Sequence, residues 1–242
     1  MAQTLRANKG TASTCDHLLE GCARLGTPDL LQLDTDAAFT GLGRTPRVFG
    51  RFVRLALDLG LEVLFLPPSE AKRHHGGESG HGTWAASFWN KNPFTALRDL
   101  ERPSPKFFAW YADYAPEALD GLTVKQAARH LHSKKLLRRQ LTPIPPEVPL
   151  TVSRVHFIRK VDARGAIHIL TEPWQVSKSL VGHYVGATLD TGKAALSSSH
   201  RHSERAQPRL IKQYGYAIEE KGHKRKPEFH RRARKIDSLT II

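Results

Sequence analysis

Two acidic residues stand where carboxylates can work as a pair. Asp34 closes the apolar run "LLQL" at residues 30 to 33, and Glu78 comes after a second apolar run, "LEVLFLPP", at residues 61 to 68. A carboxylate at the carboxyl end of a buried strand lies where open α/β sheets place their ligands. The same Asp also suits the turn that follows a strand, and this stretch alone leaves both readings open. Two carboxylates within a few ångströms repel each other unless a cation lies between them. Hard oxygen donors of this kind suit Mg²⁺ or Mn²⁺. Two such ions can activate a water or hydroxyl and stabilise the leaving oxygen of a phosphodiester.

For Asp34 and Glu78 to meet, the chain between them must form a crossover unit. Residues 46 to 59, "PRVFGRFVRLALDL", put Val48, Phe52, Leu55 and Leu59 on one side and Arg47, Arg51, Arg54 and Asp58 on the other. That is the spacing of a helix with one dry and one wet face. Gly60 ends it, and Pro67 and Pro68 close the buried strand that follows. Strand, helix and strand with short connections predict two parallel neighbours in one sheet. Their carboxyl ends then share an edge, the helix leaving the second strand starts there, and Asp34 and Glu78 converge.

Upstream, residues 11 to 25 read as a helix capped by Thr14, with Leu18, Leu19, Cys22 and Leu25 as its apolar face and Gly26 and Pro28 as its stop. Downstream, "TWAASFWNKNPFTALRDL" reads as helical, with Trp84, Phe88 and Phe94 turned inward. The aromatic cluster Phe107, Phe108, Trp110, Tyr111 and Tyr114 reads as helix packing. From residue 122 a basic helical pattern leads into a proline-rich linker, "LTPIPPEVPL". Residues 154 to 196 then alternate with period two, broken by the turn signals Asp162-Ala163-Arg164-Gly165 and Asp190-Thr191-Gly192-Lys193. Short strands at this spacing predict a small antiparallel barrel. The tail from residue 208 shows no clear period and reads as partly disordered.

The formal net charge is +14 over 242 residues, which favours a polyanionic partner. Residues 1 to 100 carry 11 Lys and Arg against 10 Asp and Glu, and residues 101 to 242 carry 26 against 13. The basic half is therefore the second one, an asymmetry that predicts two units with different jobs. No run approaches the roughly 18 apolar residues of a membrane helix. Cys15 and Cys22 fall on the first helix and suggest no disulfide framework. A reducing cytoplasmic setting is the expectation.

"LQLDTDAAF" and "PPSEAKRHHGGESGHGTW" resemble the second Asp and the final Glu of the Asp-Asp-Glu transposases and retroviral-type integrases, and within them the bacterial insertion-sequence proteins. "RVHFIRKVDARGAIHIL" and "WQVSKSLVGHYVGATLD" are similar to the small C-terminal β-barrel of phage Mu transposase. The resemblance spans roughly residues 10 to 215. It implies an incomplete ribonuclease-H-like α/β domain over residues 1–121, a basic helix and linker over 122–150, and an SH3-like barrel over 151–207. A basic tail over 208–242 resembles nothing in the family. It also implies Asp34 and Glu78 as catalytic, metal-binding carboxylates, Mg²⁺ or Mn²⁺ as cofactor, and DNA as partner, both element ends and target, in a bacterial, nucleoid-associated setting. The family's first Asp has no match upstream of Asp34, where Asp16 and Asp29 are differently placed. The expectation is an N-terminally truncated copy with an exposed strand edge prone to self-association.

A second reading is a non-catalytic DNA-binding remnant. Lys72, Arg73, Lys125, Lys134, Lys135, Arg138, Arg139, Arg154, Arg159 and Lys160 are its candidate phosphate contacts, and Trp174 and Tyr184 could stack on bases. A third is a transition-metal site at His74, His75, Glu78 and His81, whose spacings suit helical ligands although Gly76 and Gly77 interrupt them.

Overall fold

The computed structural model describes residues 10–35, 39, 47–68, 70, 75–129, 147–203 and 205–219. The first helix, α1, is Thr11–Leu25, and it buries Cys15, Leu18 and Cys22 along one stripe. Its N-cap is Gly10. Thr14 instead donates its hydroxyl back to the carbonyls of Gly10 and Thr11, so it is not the cap its position suggested. Gly26, at φ 86°, ends the helix in the left-handed region that glycine enters freely. Both cysteines are free and buried, and burial pushes the Cys15 thiol up to about 11.

Strand β1 is Leu30–Leu33, helix α2 is Arg51–Asp58 and strand β2 is Glu62–Phe65. The two strands pair in parallel, Leu30 opposite Glu62 and Leu33 opposite Phe65. Leu66 continues the ladder with a 2.9 Å bond to the Leu33 carbonyl. The parallel crossover expected of this stretch is therefore present. Helix α2 begins five residues later than its periodicity predicts. Arg47 sits at φ 56°, outside helical space, and the chain enters the helix only after the extended Gly50. The wet face expected of α2 is also corrected. Arg54 is buried, donating to the carbonyls of Phe49, Val148 and Glu219, because later segments cover that side of the helix. Likewise β1 is not a fully buried strand. Leu33 is buried, Leu31 packs against the core partly buried, and Leu30 is 46% exposed.

Strand β3, Arg154–Lys160, pairs in parallel with the side of β2 away from β1. It then pairs antiparallel with β6, Tyr184–Asp190, and β7 (Ala195–His200) and β8 (Arg209–Gly215) follow, also antiparallel. Between β3 and β6 a separate hairpin forms from β4 (Ala166–Ile169) and β5 (Glu172–Gln175). The result is an α/β architecture around one six-stranded mixed sheet, ordered β1-β2-β3-β6-β7-β8. Strands expected in two units share this sheet, and among the described residues it does not close into a barrel. β8 lies inside the tail that was expected to be partly disordered. Its residues are mostly exposed, so no apolar alternation announced it.

Period-two alternation decides which side chains meet the core. Val63, Phe65, Val155, Phe157, Ala187, Leu189 and Leu196 face inward and pack with α1, α2 and the β4–β5 hairpin in one cluster. Gly165, at φ 78°, makes the predicted turn after Asp162, and Asp162 Oδ1 accepts the N–H groups of Arg164 and Ala166. Asp190 Oδ1 accepts from Lys193 N–H at the second predicted turn.

A smaller aromatic cluster gathers helices α3 (His75–Ser87), α4 (Leu97–Glu101) and α5 (Ser104–Ala112), followed by α6 (Val124–Ala128). Phe88, Phe107 and Tyr111 are its buried members, with Trp84, Phe94, Phe108 and Tyr114 packed against them. Helix α3 includes the glycine-rich stretch and so carries Glu78 in its first turn. No helix among the described residues is long and apolar enough to cross a membrane.

Candidate functional site

Asp34 directly follows β1 and is exposed, at the carboxyl end of the parallel pair. The chain leaves β2 at that same end and goes on to α3, where the backbone of Glu78 is helical. The Glu78 side chain lies outside the described residues, as do Lys72, Arg73, Lys134, Lys135, Arg138, Arg139 and His74. Among the described residues, no three His, Cys, Asp or Glu side chains come together as a metal cluster.

The three candidate cations on β3 separate by strand parity. Arg154 and Lys160 point to the outer face, and Arg159 points to the inner one with Val155 and Phe157. Arg159 is 9% exposed. Its Nη1 donates to the carbonyls of Ile158 at 2.8 Å and Leu66 at 3.0 Å, and its Nε to His168 at 3.2 Å. The guanidinium also lies 5.1 Å from the centre of the Phe157 ring. Burial lowers its pKa to about 10, which leaves it charged at neutral pH. The expectation that Arg159 meets phosphate is thus corrected: it ties the carboxyl end of β2 to β3 and β4. Lys125 on α6 and Lys160 are exposed. Lys160 Nζ lies 6.0 Å from the Tyr184 ring centre, and the Tyr184 hydroxyl donates to Glu70.

At the opposite, amino end of β2 the outer face holds an arrangement that the sequence did not announce. Arg154 Nε donates to Glu62 Oε1 at 2.7 Å, with Nη2 2.6 Å from the same oxygen. His156 Nε2 donates to Glu62 Oε2 at 2.8 Å, and its Nδ1 lies 3.0 Å from Thr188 Oγ1. An imidazole held by a carboxylate on one nitrogen accepts the hydroxyl proton on the other when neutral. Partial burial raises the Glu62 pKa, but the hydrogen bonds from His156 and Arg154 outweigh it, so the carboxyl sits below its usual value. These groups line an open cleft of about 640 Å³ whose floor includes Leu64 and Ile158. Glu62, His156 and Thr188 come from three strands brought together only by the β2–β3 and β3–β6 pairings. Parallel sheets place their ligands at the other end, so this cleft reads first as a polar clasp between β2, β3 and β6.

No family model and no curated protein matches this chain.

Proposed function

We propose that this chain belongs to the Asp-Asp-Glu transposase and integrase lineage and acts on DNA. In this reading the β1–α2–β2 unit corresponds to part of a ribonuclease-H-like sheet, and β3 to β7 correspond to the SH3-like module of such proteins. The observation that carries the proposal is the parallel β1–α2–β2 unit with Asp34 at its carboxyl end and Glu78 in the first turn of the next helix. Carboxylate oxygens at a strand end suit a hard divalent ion, and Asp34 and Glu78 are the residues that would hold Mg²⁺ or Mn²⁺. When bound, such an ion supplies charge stabilisation at a phosphodiester. Strand transfer in this lineage uses a third carboxylate beside those at the positions of Asp34 and Glu78. The reading therefore assigns DNA and ion binding to the chain, and strand cleavage to a centre that a third carboxylate completes.

The excess of cations after residue 100 supports the DNA contact. Engagement of about four phosphates gives a slope near −3.6 when log affinity is plotted against log salt. Fluorescence anisotropy with duplex DNA tests it, and affinity that does not change with salt contradicts it. Lys125→Ala and Lys160→Ala are expected to flatten that slope by about one contact each, and Arg159→Met to leave it unchanged. Mn²⁺ binding separates this reading from a purely DNA-binding one, and a Mn²⁺ site that survives Asp34→Asn refutes the carboxylate assignment.

A further inference from the structure

Arg47 lies between β1 and α2, yet its side chain meets residues far along the sequence. Its Nε donates to both carboxylate oxygens of Glu172 on β5, at 3.2 and 3.1 Å. Its guanidinium carbon is 5.8 Å from the ring centre of Trp174 and 5.1 Å from that of Tyr216, the residue just after β8. The Trp174 and Tyr216 rings are 5.1 Å apart and inclined at 52°, and Tyr214 adds a third ring 5.0 Å from Trp174. Two π faces and a carboxylate around one delocalised cation form an aromatic cage closed by a counter-ion.

Two further observations mark this cage as more than packing. Arg47 holds its backbone at φ 56°, a conformation unfavourable for any residue with a Cβ, while its carbonyl accepts from Glu219 N–H at 2.8 Å. The side chain is thus held against a local backbone preference. Inside the cage, Trp174 Nε1 is buried and has no hydrogen-bond partner among the described residues. Buried polar groups are ordinarily paired, and the Tyr216 phenol, which faces the Glu172 carboxylate, still has an oxygen lone pair to accept an N–H from a planar cation. Burial, then the neighbouring Glu172 carboxylate, push the Tyr216 phenol well above its usual range, so it stays a neutral hydroxyl.

We propose that Glu172, Trp174 and Tyr216 form a guanidinium-binding site that Arg47 occupies in cis as an exchangeable latch. Glu172 supplies the charge, and the rings favour a flat, weakly hydrated guanidinium over a compact ammonium. The occupied site fastens the β1–α2 connection, which follows Asp34, to the β5 and β8 end of the fold.

The test is an NMR titration of the full chain with ethylguanidinium, reading the indole N–H signal of Trp174 assigned by Trp174→Phe. Arg47→Gln is expected to show a saturable shift with ethylguanidinium and roughly tenfold weaker binding of ethylammonium. The wild type, with its site filled, is expected to respond only at much higher concentration, and Arg47→Gln/Glu172→Gln not at all. If Arg47→Gln does not fold, Arg47→Lys serves: its ammonium lacks the planar fork, so ethylguanidinium displaces it at lower concentration than in the wild type. A silent indole in the vacated site, equal responses to both cations, or no difference between Arg47→Lys and wild type overturns the proposal.

Discussion

At the carboxyl end of the β1–β2 pair the chain exposes Asp34, while at the amino end of β2 it engages Glu62 with Arg154 and His156. Both ends carry carboxylates on neighbouring strands, but they differ in what surrounds them. Glu62 has its charge answered by side chains from β3, and that pairing joins strands whose sequence positions are far apart. Asp34 stands exposed at the carboxyl end of the parallel pair, the end at which open α/β sheets place their ligands. The difference teaches that an acid on a sheet is a candidate for chemistry only once its partners in space are known. Proximity to a histidine at the amino end reflects a clasp that holds the sheet together.

The sharpest way to break this comparison is at Arg159, which fastens the carboxyl end from beneath. Arg159→Met leaves the carbonyls of Leu66, Ile158 and His168 without their donor and is expected to cost about 3 kcal/mol. Lys160→Met, one residue on but on the outer face, is expected to change stability by less than about 0.5 kcal/mol. Urea unfolding of the two variants checks this, and equal losses would show that the inward placement of Arg159 is wrong.

Next in size is Glu62→Gln, expected to cost about 1 kcal/mol at neutral pH, since the pair is half-open to solvent. Its pH dependence carries a definite sign. A carboxyl whose folded pKa lies below its unfolded value contributes stability above the unfolded pKa, about 4.3 for Glu, and loses it as pH falls through the folded pKa. Wild type and Glu62→Gln should therefore converge in stability as the pH drops below about 4. Curves that stay parallel through that range would mean that Glu62 makes no such contribution. A smaller effect, about 0.5 kcal/mol, is expected of Thr188→Val, which keeps the β-branched shape and removes only the hydroxyl facing His156.

Much of the fold was legible because its signals are local. The crossover unit could be read from two apolar runs, one helical period and the stops at Gly26 and Gly60. The hairpin turns at Asp162 and Asp190 announced themselves through residues whose side chains cap their own turns. Parity along "RVHFIRK" already separates Arg159 from Arg154 and Lys160, a signal that a list of cations overlooks. The rest depends on long-range pairing. Nothing local says that β3 adds to β2, that segments near Val148 and Glu219 cover Arg54, or that Glu62 meets His156 and Thr188. β8 is similarly hidden, because a strand exposed along most of its length has no apolar alternation to betray it.

The shared divalent ion proposed for Asp34 and Glu78 is tested most directly by a Mn²⁺ titration followed by electron paramagnetic resonance. Wild type is expected to bind Mn²⁺ at a saturable site that Asp34→Asn and Glu78→Gln each abolish, with Asp34→Asn changing stability by less than about 0.5 kcal/mol. A site that survives either substitution, or a wild type that binds no Mn²⁺, would contradict it.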